Sequence, residues 1–344
     1  MATHSQIETA TDTSSATKDD LWTLAAFGVL AYMISNVLHE GLGHGGVAWL
    51  SGARQITVTS TYMDAGFDTR WILAAGTLVN LGVGVLGLIA LRAMRRAGLS
   101  LRLFVWVFTA LNLLLGTGYF LFSGVGGIGD WAEWMKGLSP EWAWRVGFAL
   151  LGTVSYGASA WLLARELAAI LGLREARMRR MTWTIYFAGG LTACLAGVRN
   201  PMGWKLVLIS AAASSLGGAS GLLWIPSIAA PAAHKKQKKE TAAVAIPRLP
   251  LLWAVAAVLL VEYVWWLGPG ITLRFAGGVL AARAEAPAAR GIRFAPFGRS
   301  RGASWSSASG QEIADAVDLR RLDYPPYAQR RVGHPAVARR VWLG

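Results

Sequence analysis

Apolar positions along the chain fall into long uninterrupted runs rather than alternating or helix-periodic stripes. A run of about 20 mostly apolar residues is what a helix needs to cross a bilayer. Such runs lie near residues 21–45, 71–91, 103–123, 144–164, 183–199, 204–225 and 251–268, predicting about seven transmembrane helices. Asn200-Pro201 ends or breaks the fifth, because the residue before a proline is steered away from helical geometry. The fifth and sixth runs read equally as a re-entrant hairpin. Between the first two runs, residues 54–62 are β-branched and roughly alternating, which predicts a short strand.

Composition supports this pattern. Of 344 residues, 54% are hydrophobic and 15% charged, with a mean hydropathy of +0.42. Soluble domains carry roughly 25% charged residues, so a soluble enzyme, a disordered chain and a soluble nucleic-acid module are all excluded. The 17 tryptophans fit a protein with two membrane–water interfaces to anchor in. The fold class expected is an all-α polytopic membrane protein, with a short β segment after the first helix and a polar C-terminal tail. The segments are a polar N-terminal tail (1–20), a membrane core (21–135), additional helices (136–225), a basic linker (226–250), a last helix (251–269) and a polar, Arg-rich region (270–344).

The net charge of +14 changes the reading less than its size implies, because the basic residues sit between apolar runs. Segments 92–102, 174–182 and 226–250 hold thirteen Lys and Arg, against six in the alternate loops 52–70, 124–145 and 199–205. By the positive-inside rule the N-terminus is expected in the cytoplasm and the C-terminus outside. The first 20 residues lack the basic and short apolar regions of a cleavable signal, so the first run is expected to remain as a helix. The expected location is the inner (plasma) membrane of a bacterium, with the bilayer and no nucleic acid among the partners. Cys194 is the one cysteine, so an intrachain disulfide and a cysteine-based metal site are both excluded.

Polar residues inside apolar runs are expensive and therefore informative. His39-Glu40-Gly41-Leu42-Gly43-His44 ends the first run. Two imidazoles beside a carboxylate suit zinc, with the carboxylate serving as general base. The usual spacing is four residues; here it is five. At about 100° per residue, five residues leave the second ring about 140° away from the first on an α-helix. A one-residue π-bulge would correct this, and the glycines tolerate one. Alternatively the helix ends at Gly41 and His44 returns from a turn. Asp130, in Gly-Ile-Gly-Asp-Trp beyond the third run, lies at the same membrane face as the histidines, because the first and third helices run in the same direction. Two histidines and one carboxylate with an open fourth position make a catalytic zinc set. Asn80, Asn112 and Asn36 are intramembrane amides, suited to interhelical hydrogen bonds or to holding a peptide carbonyl. Glu262, in the last run, is a further acidic candidate.

Taken together, residues 20–135 resemble the site-2-protease-like family of intramembrane zinc metallopeptidases. His39-Glu40…His44 stands where the family has its zinc motif, Ala75-Gly76-Thr77-Leu78-Val79-Asn80 is similar to its Gly-Pro-Leu-Ala-Asn element, and Asp130 stands where it has a zinc-binding aspartate. Thr77 takes the place of the usual proline, and the aspartate lies in Gly-Asp-Trp rather than Leu-Asp-Gly. The resemblance implies His39, His44 and Asp130 as ligands of Zn2+, Glu40 as general base and Asn80 as a contact for the substrate backbone. The implied reaction is hydrolysis of a peptide bond in or next to a membrane segment of a membrane protein or membrane-anchored peptide, with the 54–62 strand holding the unwound stretch by edge pairing. Two other functions fit the sequence: a non-catalytic membrane scaffold working with partner subunits, and a transporter whose path is lined by His39, His44, Asp130 and Glu262.

Overall fold

The computed structural model describes residues 18–172, 174–201, 203, 207–235, 244–275 and 341–342. Six helices among them are long and apolar enough to cross a membrane: Leu21–Leu50, Arg70–Ala93, Leu99–Gly126, Glu141–Leu171, Glu175–Val198 and Pro250–Leu267. Their outward faces stay apolar. Trp22, Trp71, Val154 and Leu251 are each more than 70% exposed, which suits contact with lipid rather than water. A multi-pass membrane protein is the architecture these helices fit.

The first span is compound. Helix α1 (Leu21–Val37) is capped by Asp20, whose carboxylate accepts the Thr23 N–H at 2.8 Å. It passes without a break into a π-helical stretch, Leu38–Gly45, and a final α-turn, α2 (Gly46–Leu50). Helix α3 (Arg70–Ala93) starts at the Thr69 cap and α4 (Leu99–Gly126) ends at Gly127, whose positive φ of 66° closes the helix. A six-residue helix, α5 (Asp130–Met135), leads to α6 (Glu141–Leu171) and α7 (Glu175–Val198). Helix α1 approaches α7 closely: a Cβ on Gly28 would lie 2.6 Å from the Ile185 carbonyl oxygen. The main core joins α1, α4, α6 and α7 around fully buried Leu24, Trp106, Leu163, Met181 and Ile185.

Helix α7 begins earlier than the apolar run does. Arg174, Arg177, Arg179 and Arg180, expected in a loop, cap or enter it. Met178 and Met181 on the same turns are completely buried, and Arg177 pairs with Asp19, so packing extends the helix past its apolar stretch.

The sixth predicted span, 204–225, does not form one long helix among the described residues. A π-helical segment (Val207–Gly217) gives way at Gly218–Ser220 to α8 (Gly221–Lys235). The Tyr156 hydroxyl holds the break, donating to the Gly218 carbonyl at 2.8 Å and accepting the Gly221 N–H at 2.6 Å. The first part of the predicted linker, 226–235, belongs to α8, because Ile225 and Ala229 pack into the core. Its middle, 236–243, lies outside the described residues, as do 1–17 and 276–340. The last span comprises α9 (Pro250–Glu262) and a π-helical turn, Tyr263–Leu267.

The predicted strand is present as β1 (Gln55–Val58), followed by a turn into β2 (Met63–Asp64). β1 also pairs antiparallel with β3 (Ile271–Arg274), with Gln55 opposite Arg274 and Val58 opposite Ile271. β4 (Val341–Trp342) adds to β3 in parallel. Ile56 and Val58 face inward onto Ala48, Ala53 and Ile72, fixing the register. β1 is therefore an interior strand, with its backbone edges taken by β2 and β3. β2 covers only Thr57 and Val58, so Gln55 and Ile56 pair with β3 alone.

Candidate metal centre

Residues five apart do not share a face of an α-helix, but a π-helix hydrogen-bonds i to i+5 and brings them together. The Leu38–Gly45 stretch adopts that form, and His39 and His44 meet with their Nε2 atoms 3.1 Å apart. The glycines permit it. A Cβ on Gly43 would lie 2.6 Å from the Gly76 Cα, so only a bare backbone passes α3 there. Gly76 in turn makes room for the rings: its Cβ would strike the His44 Nε2 and come within 2.6 Å of the His39 Nε2.

Asp130 completes the cluster. Gly129 turns the chain out of α4 with a φ of 84°, open to glycine but strained for other residues, and Asp130 begins α5. Trp131 fixes α5 by donating its indole N–H to the Thr77 hydroxyl on α3 at 3.0 Å. The Asp130 Oδ2 lies 3.1 Å from the His44 Nε2 and 3.5 Å from the His39 Nε2.

Hydrogen bonds behind the rings decide which atoms carry protons. The Ile72 carbonyl can only accept, so the His44 Nδ1, 2.6 Å away, carries its hydrogen. For His39 the orienting chain spans three helices. The Phe108 carbonyl accepts from the Asn112 Nδ2 at 2.8 Å, which turns the Asn112 Oδ1 toward Asn80. That oxygen accepts from the Asn80 Nδ2 at 3.1 Å, leaving the Asn80 Oδ1 to accept from the His39 Nδ1 at 2.8 Å. Ser35 agrees with this polarity: its hydroxyl donates to the Ala31 carbonyl and accepts from Asn112 at 2.8 Å. In their neutral forms, the ones that bind metal, both rings therefore turn Nε2 lone pairs toward the Asp130 carboxylate.

Three acceptors converging on one point call for a shared proton or a cation. The three edges of 3.1, 3.1 and 3.5 Å are a fit to metal. Tetrahedral ligands at zinc distances stand about 3.3–3.6 Å apart, within about 0.2 Å of what is found. These ligand atoms form a group that could hold an ion. The orienting bonds behind the rings are also the kind that tune metal-binding histidines.

Glu40 is buried and lines a cavity of about 50 Å³ beside the cluster, together with His39, Asn36, Ser60, Asn80 and Tyr119. A cavity needs about 10–15 Å³ to admit one water, so this one has room for several. Asn80 lines the cavity as well, but its amide oxygen is committed to His39 and one N–H to Asn112. These bonds make it a positioning residue for the ring and leave its second N–H uncommitted. Glu262 is exposed at the end of α9 and stands outside the cluster. Hydropathy alone does not tell a bundle-facing acid from an outward one. The Ile72 carbonyl had no side-chain signal at all, and the part played by Asn112 needed the spatial order of α1, α3 and α4. No family model matches this chain, and no curated protein or solved structure matches it either.

Proposed function

We propose that the chain is a zinc-dependent intramembrane peptidase of the site-2-protease-like kind, hydrolysing peptide bonds in or near membrane segments. The observation that carries this reading is the convergence of His39, His44 and Asp130, made possible by the π-helical turn, beside a cavity lined by Glu40. His39, His44 and Asp130 would hold the ion. When bound, it would lower the pKa of a water and polarise a carbonyl.

The rest is the work of the chain. Glu40 takes a proton from the attacking water as that oxygen bonds to the carbonyl carbon. It returns a proton to the amine nitrogen as the C–N bond breaks. Asn80 and Ile72 keep the two rings aimed, so that neither has to reorganise during the reaction. Burial of Glu40 keeps bulk water from competing for its proton.

The experiment is zinc analysis combined with cleavage of fluorescein-labelled casein by the protein in detergent. About one zinc per chain is expected in the wild type and in Glu40→Gln, whereas His39→Ala, His44→Ala and Asp130→Ala should lose it. Glu40→Gln should cleave no casein. Full turnover in that variant would remove Glu40 as the base, and a zinc-free wild type would remove the peptidase reading.

A further inference from the structure

Two hydrogen-bonding groups on the wall of the Glu40 cavity have capacity that the fold leaves unspent. Ser60 follows β1 in the turn toward β2. Its backbone N–H donates to the Leu267 carbonyl at 2.9 Å, and neighbouring Thr59 closes the turn by accepting from the Thr61 and Tyr62 amides. The residue is 1% exposed, yet its hydroxyl has no partner among the described residues. A buried hydroxyl without a bond is costly and rare, so it calls for a reason. Ser60 lines the same cavity as His39 and Glu40.

Asn36 is the second group. It lies four residues before Glu40 on the same continuous helix and also lines the cavity. Tyr263, buried in the last span, donates its hydroxyl to the Asn36 Oδ1 at 2.5 Å. With its oxygen end engaged, the Asn36 amide has only N–H donors to present. Asn80, by comparison, has its oxygen spent on His39.

We propose that the Ser60 hydroxyl and the Asn36 amide form a carbonyl-binding pair, donating to the oxygen of the peptide bond under attack. This rests on the peptidase reading and adds to it the groups that stabilise the developing negative charge. As water adds to the carbonyl carbon, the carbon–oxygen π pair moves onto that oxygen, which these N–H and O–H donors face. The proton from the water goes to Glu40 as before, and no other reactant is required. Preorganised donors of this type act where charge appears, and removing one costs about 10²–10³-fold in kcat elsewhere. Tyr263 is a positioning residue, since it acts through Asn36.

The test uses the full chain, loaded with zinc in detergent, and two probes. The first is a phosphinic pseudopeptide with alanine-like side chains, whose tetrahedral P–O⁻ stands in for the hydrated carbonyl. The second is acetohydroxamate, a small chelator without a peptide carbonyl. Dissociation constants are measured by isothermal titration on the wild type, Ser60→Ala, Asn36→Ala and Tyr263→Phe, with zinc content and thermal midpoint alongside. Ser60→Ala and Asn36→Ala should each bind the pseudopeptide at least about tenfold more weakly, and Tyr263→Phe by a smaller factor, with acetohydroxamate binding and zinc content unchanged. Less than a twofold change in both alanine variants would overturn the pair while leaving the zinc centre standing. So would a wild type that holds zinc and acetohydroxamate but not the pseudopeptide. A wild type that takes up no zinc would overturn the peptidase reading, and the pair with it.

Discussion

Replacing Asn112 by leucine tests the orientation of His39 without touching a ligand. The side chains are close in volume, so the α1–α4–α3 packing survives while the hydrogen-bond chain is cut at its anchor. Asn80 then keeps an Nδ2 donor that had bonded to Asn112 at 3.1 Å and now has no acceptor. An unsatisfied buried donor costs about 1–3 kcal/mol, and with that bond gone nothing fixes which end of the Asn80 amide meets His39. Turned over, the amide presents N–H groups to the His39 Nδ1–H, and the ring loses its reason to face the cluster through Nε2. Loss of such an orienting partner typically weakens metal binding by about 10–100-fold. That equals about 1.4–2.7 kcal/mol of affinity. The assay is competition for zinc against a chromophoric chelator in detergent. Ser35→Ala is the control: Asn112 still donates to the Phe108 carbonyl at 2.8 Å, which alone fixes its orientation, so less than about a threefold change is expected. If Asn112→Leu stays within twofold of the wild type, or Ser35→Ala equals it in effect, Asn112 does not set the orientation of His39.

Gly76→Ala should abolish zinc binding, by at least about 100-fold on the scale of lost orientation, because the new methyl occupies the space of both Nε2 atoms. Gly82→Ala, with nothing within 4 Å on the same helix, should bind zinc as the wild type does, and equal binding by both variants would contradict the packing. Trp131→Phe removes the donor to Thr77 and loosens α5. Zinc affinity should fall about threefold to tenfold, at the low end for an orienting partner, while an unchanged affinity in the same titration would show that Asp130 is placed without it. At the other end of α1, Asp19 sits below the usual carboxylate range although burial opposes this, because Arg177 grips it through two bonds, the Ile246 N–H donates to it and Arg180 lies near. A lowered carboxylate stabilises the fold fully above its unfolded pKa, near 4, and loses that stabilisation as pH falls through the lower folded value. Thermal midpoints in detergent should therefore drop below about pH 4 in the wild type. Asp19→Asn should start lower and lose less over that range, and identical slopes would count against the clasp.

The sequence alone determined six of the seven predicted spans and the side chains that make up the cluster. Hydropathy is a local property, so a run of some 20 apolar residues is readable without knowing its neighbours. The same cost of burying polar groups made His39, Glu40, His44, Asp130 and Asn80 stand out against their apolar surroundings. The 54–62 strand was readable from its β-branched alternation, but not its partner β3, which lies more than 200 residues later. The tertiary structure decided what depends on neighbours. Whether a five-residue spacing brings the two rings together turned on the π-helical register, which the close passage of Gly43 over Gly76 admits. Whether Asn80 meets substrate or ring, and whether Glu262 faces inward, depended on which helix lies alongside. The break at Gly218–Ser220 followed from a tyrosine some 60 residues away. Side-chain type is written in one dimension, whereas proton positions and ligand convergence are set by contacts between segments distant in the chain.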